Sequence, residues 1–296
     1  MGNRVGVIGA GSWGTTLAAV LTKKGYPIIL WGRNSQQVDE INREKTNQRY
    51  LPDIKLPAAL RATTDLAEAV HSDYLVLAVP SHAMRNTCQQ IKPLISDRQL
   101  FVNVAKGIEN DTLLRMSEVI SHTLEIPLQR VATLSGPSHA EEVIREIATA
   151  VVSASTHLET ARKVRELFRT DYFRVYSSTD LKGVELGGSL KNVIAIAAGI
   201  SDGVGFGDNT KAALLTRGAF EIARLGQRLG ARPETFSGLS GIGDLIVTCM
   251  SRYSRNRFVG EQIGKGKTLE EVLREMVMVA EGVKTTRSVH QLQKKY

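Results

Sequence analysis

The first 180 residues alternate between short apolar runs and stretches in which apolar positions recur every three to four residues. The runs fall at 4–8 (RVGVI), 27–31 (PIILW), 74–79 (YLVLAV), 100–105 (LFVNVA), 130–134, 148–154 and 173–177. Between them, 15–24, 36–44, 66–70, 81–91, 112–123 and 158–168 carry helical spacing, and Pro52 and Pro57 mark a loop. Continuous apolar strands interleaved with helices predict a mainly parallel sheet covered on both faces. After Asp180 the strand pattern stops. Residues 190–200 (LKNVIAIAAGI) are apolar almost all round, as in a central buried helix. Residues 211–229 repeat a helical spacing, and shorter helical stretches follow. The fold class expected is an α/β Rossmann domain, residues 1–180, followed by an all-α domain, residues 181–296.

The first apolar run leads into Gly9-Ala10-Gly11-Ser12-Trp13-Gly14 and then a helix. This Gly-x-Gly-x-x-Gly fingerprint has the strand before it and the helix after it that give the pattern meaning. Gly9 suits the tight turn, Gly11 lets a pyrophosphate approach, and Gly14 lets helix and strand pack closely. The helix N-terminus adds free N–H donors and partial positive charge. A dinucleotide is therefore the expected cofactor, and hydride transfer the expected chemistry. The strand at 27–31 ends in Gly32-Arg33-Asn34-Ser35, with no acid to accept the two ribose hydroxyls; the next acid is Asp39. Arg33 and Ser35 suit a 2′-phosphate, which favours NADP(H). The alternative is Arg33 stacking on the adenine, with NAD(H) accepted as well.

Composition narrows the picture modestly. A chain of 296 residues, 42% hydrophobic and 23% charged, is ordinary for a globular protein of two domains. No run of 18 apolar residues suggests a membrane span, and the first strand begins too early to leave room for a signal peptide. Cys88 and Cys249 lie far apart, giving neither a metal spacing nor a disulfide framework, as expected in a reducing cytosol. Cys249 reads as a small buried hydrophobe. The net charge of +8 suits an anionic partner, but no basic tract interleaved with aromatics points to nucleic acid.

In an open parallel sheet, ligands sit beyond the carboxyl ends of the strands. Pro80, Lys106, Gly136 and Ser138 fall there. Lys191, at the start of the apolar 190–200 run, is the more informative lysine. Burial disfavours its charged form, and a second cation such as Lys106 depresses the pKa further. Near neutrality such an amine takes a proton from a hydroxyl or returns one to a carbonyl. The alternative is a lysine that snorkels to solvent. A third cluster lies in SGLSGIGDLIVTCMSRYSRN, residues 237–256. Asp244 and Thr248, four apart, share a helix face. Ser254, Arg255 and Asn256 have the donors to hold a phosphate.

The ordered set GAGSWGT, AKGIE, SGPSHAEE, ELGGSLKNVIAIAAGI, SGLSGIGDLIVTC, SRNR and AEGV resembles the soluble, bacterial-type NAD(P)-dependent glycerol-3-phosphate dehydrogenases from Arg4 to the C-terminus. The resemblance implies reduction of dihydroxyacetone phosphate to sn-glycerol 3-phosphate for phospholipid synthesis, by a cytoplasmic homodimer. It implies cofactor contacts at Gly9, Gly11, Ser12, Trp13, Gly14, Arg33, Lys106, Ala140, Arg255, Val279 and Glu281. Substrate contacts fall at Lys106, Gly136, Ser138, Lys191, Asp244, Ser254, Arg255 and Asn256. Lys191 takes the part of proton acceptor in glycerol 3-phosphate oxidation, with Lys106, Asp244 and Thr248 beside it and no metal. The substrate is expected between the two domains. The sequence stops at Tyr296, inside a helix expected to begin near Thr285, where relatives continue through another helical stretch. Two rival readings stand beside this one: a related reductase of β-hydroxy acids, and a non-catalytic NADP(H) sensor.

Overall fold

The computed structural model describes residues 3–276 and 279–295. The chain groups into two compact units. One comprises Met1–Ala105, Ser117–Leu134 and Ser138–Thr179; the other comprises Lys106–Met116, Ser135–Pro137 and Asp180–Tyr296. A single cut after residue 180 is thus modified by two short segments, 106–116 and 135–137, which pack with the helical unit. Ile108 gives the reason for the first: it is buried among Leu186, Leu190, Ala195 and Leu292 of that unit.

The first unit is an eight-stranded sheet in the order β3-β2-β1-β4-β5-β6-β7-β8. The strands are β1 Val5–Ile8, β2 Ile28–Trp31, β3 Arg61–Thr63, β4 Tyr74–Leu77, β5 Leu100–Asn103, β6 Val131–Ser135, β7 Thr149–Ala154 and β8 Phe173–Ser178. β1 to β6 pair in parallel, as do β7 and β8. β1 and β4 are buried along their whole length, which is why they read as unbroken apolar runs. Val5, Val7, Leu17, Leu21, Leu30, Val76 and Phe173 share its core. The strand order turns back at β1, with β2 on one side and β4 on the other, so β1 ends at the switch point. Register places Ile8 level with both Trp31 and Leu77.

The second unit is helical, and its axis is Leu181–Gly203, a helix of 23 residues. It is longer than the expected 190–200 because the Gly187-Gly188 pair, which interrupts the apolar pattern, lies inside it. Among the described residues this is the one helix long and apolar enough to cross a membrane, and 72% of its most apolar stretch is buried within the protein. Helices Asp208–Arg228, Asp244–Met250, Arg255–Gly264 and Glu281–Lys295 pack around it. Its crossing with Arg255–Gly264 is close. A Cβ on Gly199 would meet the Arg257 carbonyl oxygen at 2.0 Å, and one on Gly260 would meet that of Ile196 at 2.0 Å. Glycine at both positions lets the two backbones touch, and that contact fixes where the Ser254-Arg255-Asn256 turn begins.

Candidate active site

The fingerprint turn follows β1 and opens helix Ser12–Lys23. Gly9 has φ +119, and a Cβ there would meet the Ala78 carbonyl oxygen at 2.7 Å. A Cβ on Gly14 would meet the Gly9 carbonyl oxygen at 1.9 Å. Both glycines are therefore demanded by the protein's own packing. Gly11 is different, because a Cβ there would meet nothing within 4 Å. The space beside it suits an outside group. The helix has no side-chain N-cap and no acid in its first turn, so its first N–H groups and dipole suit an anion. Turn and helix together fit a dinucleotide pyrophosphate. Ser12 is buried and Trp13 partly buried, the latter edge-on to Phe173 with ring centres 6.3 Å apart. Arg33 and Ser35 are exposed just beyond β2, and Asn34 between them caps the next helix by accepting from the Gln37 N–H. Ala140 is buried, and its carbonyl accepts from Thr16 Oγ1.

The helical unit assembles the expected lysines around one carboxylate. Asp244, 1% exposed, accepts from Lys191 Nζ through Oδ1 and from Lys106 Nζ through Oδ2, the latter at 2.6 Å. Lys191 also donates to Thr248 Oγ1 at 2.5 Å. The Thr248 hydroxyl donates to the Asp244 carbonyl at 2.6 Å, so its lone pairs face the amine. Lys106 donates as well to the Gly136 carbonyl at 3.0 Å, which brings the segment after β6 to the same cluster. Asp244 and Thr248 share one face of Asp244–Met250, as their spacing predicts, and a π-helical turn, Leu239–Gly243, leads into that helix. Lys191 lies mid-helix, 5% exposed; it does not snorkel. Its pKa falls from 10.5 to about 7. Burial is the main cause; Asp244 opposes the shift and the Lys106 cation reinforces it.

Lys106 is reached through a braced loop. Arg115 forms a buried ion pair with Glu185 at 2.7 Å. Ser288 Oγ lies 2.9 Å from the Ile108 carbonyl and 2.6 Å from Asn110 Oδ1, and Gln291 pairs with Asp111. The Lys106 stem runs beside Gly188, where a Cβ would lie 3.6 Å from Lys106 Cγ, an ordinary contact. The same Cβ would meet Ser135 Oγ at 2.7 Å, and that hydroxyl is buried without a hydrogen-bond partner. Sequence reasoning missed Glu185, Ser288 and Ser135, none of which stands in a spacing that signals chemistry.

The expected phosphate group sits on one turn. Ser254 caps helix Arg255–Gly264 by accepting from the Arg257 N–H at 3.2 Å. Arg255 is exposed at the helix start, and Asn256 is buried, with Oδ1 accepting from the Gly282 N–H at 2.9 Å. That bond holds Glu281 near the turn, while Val279 is exposed just before it. The helix carrying Glu281 begins there rather than near Thr285. Ser138 follows β6 in the sheet unit and is half-buried. Cys88 and Cys249 are fully buried, and burial pushes both thiols up to about 12.

A dinucleotide fingerprint on a parallel sheet, with a buried low-pKa amine in a helical unit, defines an NAD(P)-dependent oxidoreductase acting on a CH–OH group. Two family models match, the NAD-dependent glycerol-3-phosphate dehydrogenase N-terminus over residues 4–161 and its C-terminus over 180–296. The chain belongs to this family. The glycerol-3-phosphate dehydrogenase of Carboxydothermus hydrogenoformans, named for NAD(P)+, is 56% identical over 98% of this chain and 86% of its own length. That of Chlorobium limicola is 54% identical over 97% and 87%. The crystal structure of glycerol-3-phosphate dehydrogenase from Coxiella burnetii superposes with a TM-score of 0.94 at 40% identity, covering 99% of this chain and 90% of that one.

Proposed function

We propose that this chain reduces dihydroxyacetone phosphate to sn-glycerol 3-phosphate, drawing on NADPH in preference to NADH. The observation that carries the reading is the buried Lys191–Asp244–Lys106 cluster with Thr248. Membership of the family supports the substrate.

When bound, the dinucleotide supplies a hydride to the C2 carbonyl carbon. The chain's residues do the rest. Asp244 and Thr248 take two of the three non-carbon directions on Lys191 Nζ; proton exchange uses the third. As negative charge develops on the C2 oxygen, Lys191 stabilises it and delivers a proton, with Lys106 adding a second positive charge nearby. In the oxidative direction the neutral Lys191 amine takes the proton back. Arg255 and Asn256 hold the phosphate, and Ser138 and Gly136 complete the substrate contacts. Arg33 and Ser35 pair with the 2′-phosphate, since no carboxylate follows β2 to claim the ribose hydroxyls. The protein works as a cytoplasmic homodimer feeding phospholipid synthesis.

The test is steady-state oxidation of NADPH and NADH at equal concentration with dihydroxyacetone phosphate, set against β-keto acids. Turnover with the phosphorylated ketone and a higher kcat/KM for NADPH are expected. Turnover with keto acids alone would shift the reading to the β-hydroxy acid reductases. Equal kcat/KM for the two cofactors would remove the role given to Arg33.

A further inference from the structure

The fingerprint turn is held from behind by two side chains outside the motif. The Ala10 carbonyl, between Gly9 and Gly11, accepts from Gln37 Nε2 at 2.6 Å and from Asn47 Nδ2 at 3.0 Å. Asn47 Nδ2 also donates to Thr15 Oγ1 at 2.9 Å, and Asn47 Oδ1 accepts from Gln37 Nε2 at 3.1 Å. The orientation of both amides follows from the network. Ala10 O can only accept, so an NH2 group of each residue faces it. Asn47 Oδ1 is then left to take the second Gln37 proton. Asn47 is fully buried. Its own carbonyl is pinned by the N–H groups of Tyr50 and Leu51 at 3.0 and 2.8 Å. Its neighbours Thr46 and Gln48 both donate to Glu40 Oε1.

A peptide unit is planar and trans, so its C=O and N–H point in opposite directions. Two donors on Ala10 O fix the carbonyl of the Ala10–Gly11 peptide toward Asn47. The Gly11 N–H then points the other way, away from Asn47. Without the clamp this peptide is free to rotate, and a carbonyl oxygen turned to that side would repel a phosphate. Gln37 lies on the helix capped by Asn34, directly after Arg33, so the clamp also ties the turn to the region expected to read the adenosine end.

We propose that Asn47, braced by Gln37, is a positioning residue for dinucleotide binding, setting the Ala10–Gly11 peptide so that its N–H faces the pyrophosphate. This rests on the dinucleotide reading of the fingerprint but not on the identity of the ketone. Asn47→Asp keeps the shape and removes the NH2 group that donates to Ala10 O and Thr15 Oγ1. Calorimetric titration of the whole chain should then show affinity for 2′-phospho-ADP-ribose, which carries the pyrophosphate, falling about 10- to 100-fold, because an acceptor-only carboxylate set against the Ala10 carbonyl works against the one donor, Gln37 Nε2, that still holds it. Affinity for 2′-AMP, which lacks the pyrophosphate, should change less than about 3-fold, since only the remote Arg33 end holds it. Gln37→Leu, on a partly exposed helix face, should give the same contrast with a smaller loss, and it carries the test if Asn47→Asp fails to fold. Equal losses for both fragments would mean that Asn47 merely supports the fold. Unchanged binding of 2′-phospho-ADP-ribose would also overturn the inference. A wild-type chain binding neither fragment would contradict the dinucleotide reading itself.

Discussion

In the proposed reaction Lys191 is the residue on which the chemistry turns, because a lysine in ordinary solution is a poor proton acceptor near neutral pH. Burial in the 181–203 helix strips its ammonium of water, and Lys106 adds repulsion, while Asp244 limits the fall. Lys191→Met should lower kcat for dihydroxyacetone phosphate reduction by roughly 10²- to 10⁴-fold. NADPH affinity, measured by quenching of the reduced ring's fluorescence, should stay near that of wild type. Turnover within a few-fold of wild type would remove Lys191 from the proton path. Arg255→Ala should act differently, raising KM for the phosphorylated substrate about 10- to 100-fold, as expected for loss of a charge-assisted hydrogen bond. An unchanged KM would place the phosphate elsewhere.

At the scale of elements, what was legible in the sequence followed burial pattern. β1 and β4 are buried on both faces and announced themselves; the helices at 66–70 and 158–168 were expected with the bounds they have. β3 was missed because it has three residues and exposes Arg61. The central helix was placed nine residues late and the last helix four residues late for one reason. Each carries glycines in its N-terminal part that read as breaks, Gly187-Gly188 and Gly282, but serve as close contacts: a Cβ on Gly187 would meet Ser240 O at 2.4 Å, and one on Gly282 would meet Asn192 O at 2.7 Å. Of the site, Lys191 was legible through burial, Asp244 through its helical spacing to Thr248, and Lys106 through its place beyond the end of a strand. Asn47 and Gln37 were not, because Ala10, the acceptor they share, lies 37 and 27 positions away. The glycine crossing makes its own prediction. Gly199→Ala forces its methyl against the Arg257 backbone, so helix 255–264 must shift. Urea unfolding should show a loss of about 1–3 kcal/mol, with KM for the phosphorylated substrate raised as the 254–256 turn moves. A wild-type midpoint would show that the crossing is looser than its contacts indicate.

The whole molecule divides its labour. The sheet unit carries the fingerprint and its clamp, whereas Lys106, Gly136, Lys191, Asp244 and Thr248 all belong to the helical unit, even though Lys106 comes three residues after β5 and Gly136 directly after β6. The cluster proposed to transfer the proton is therefore assembled within one body. The helical unit also exposes large apolar side chains, among them Phe206 at 60%, Phe220 at 56% and Met250 at 63%. The proposed homodimer has its own test. Light scattering coupled to size exclusion should give twice the chain mass of 32.4 kDa; a monomer mass at micromolar concentration would remove the dimer.

The pH dependence of the two reaction directions tests the central claim most directly. An amine with pKa about 7 is protonated below that value and neutral above it. The rate of dihydroxyacetone phosphate reduction, which needs the acid, should therefore fall as pH rises through 7, while glycerol 3-phosphate oxidation, which needs the base, rises over the same interval. Profiles that stay flat in both directions between pH 6 and 9, an interval set around that value, would contradict a proton carried by Lys191.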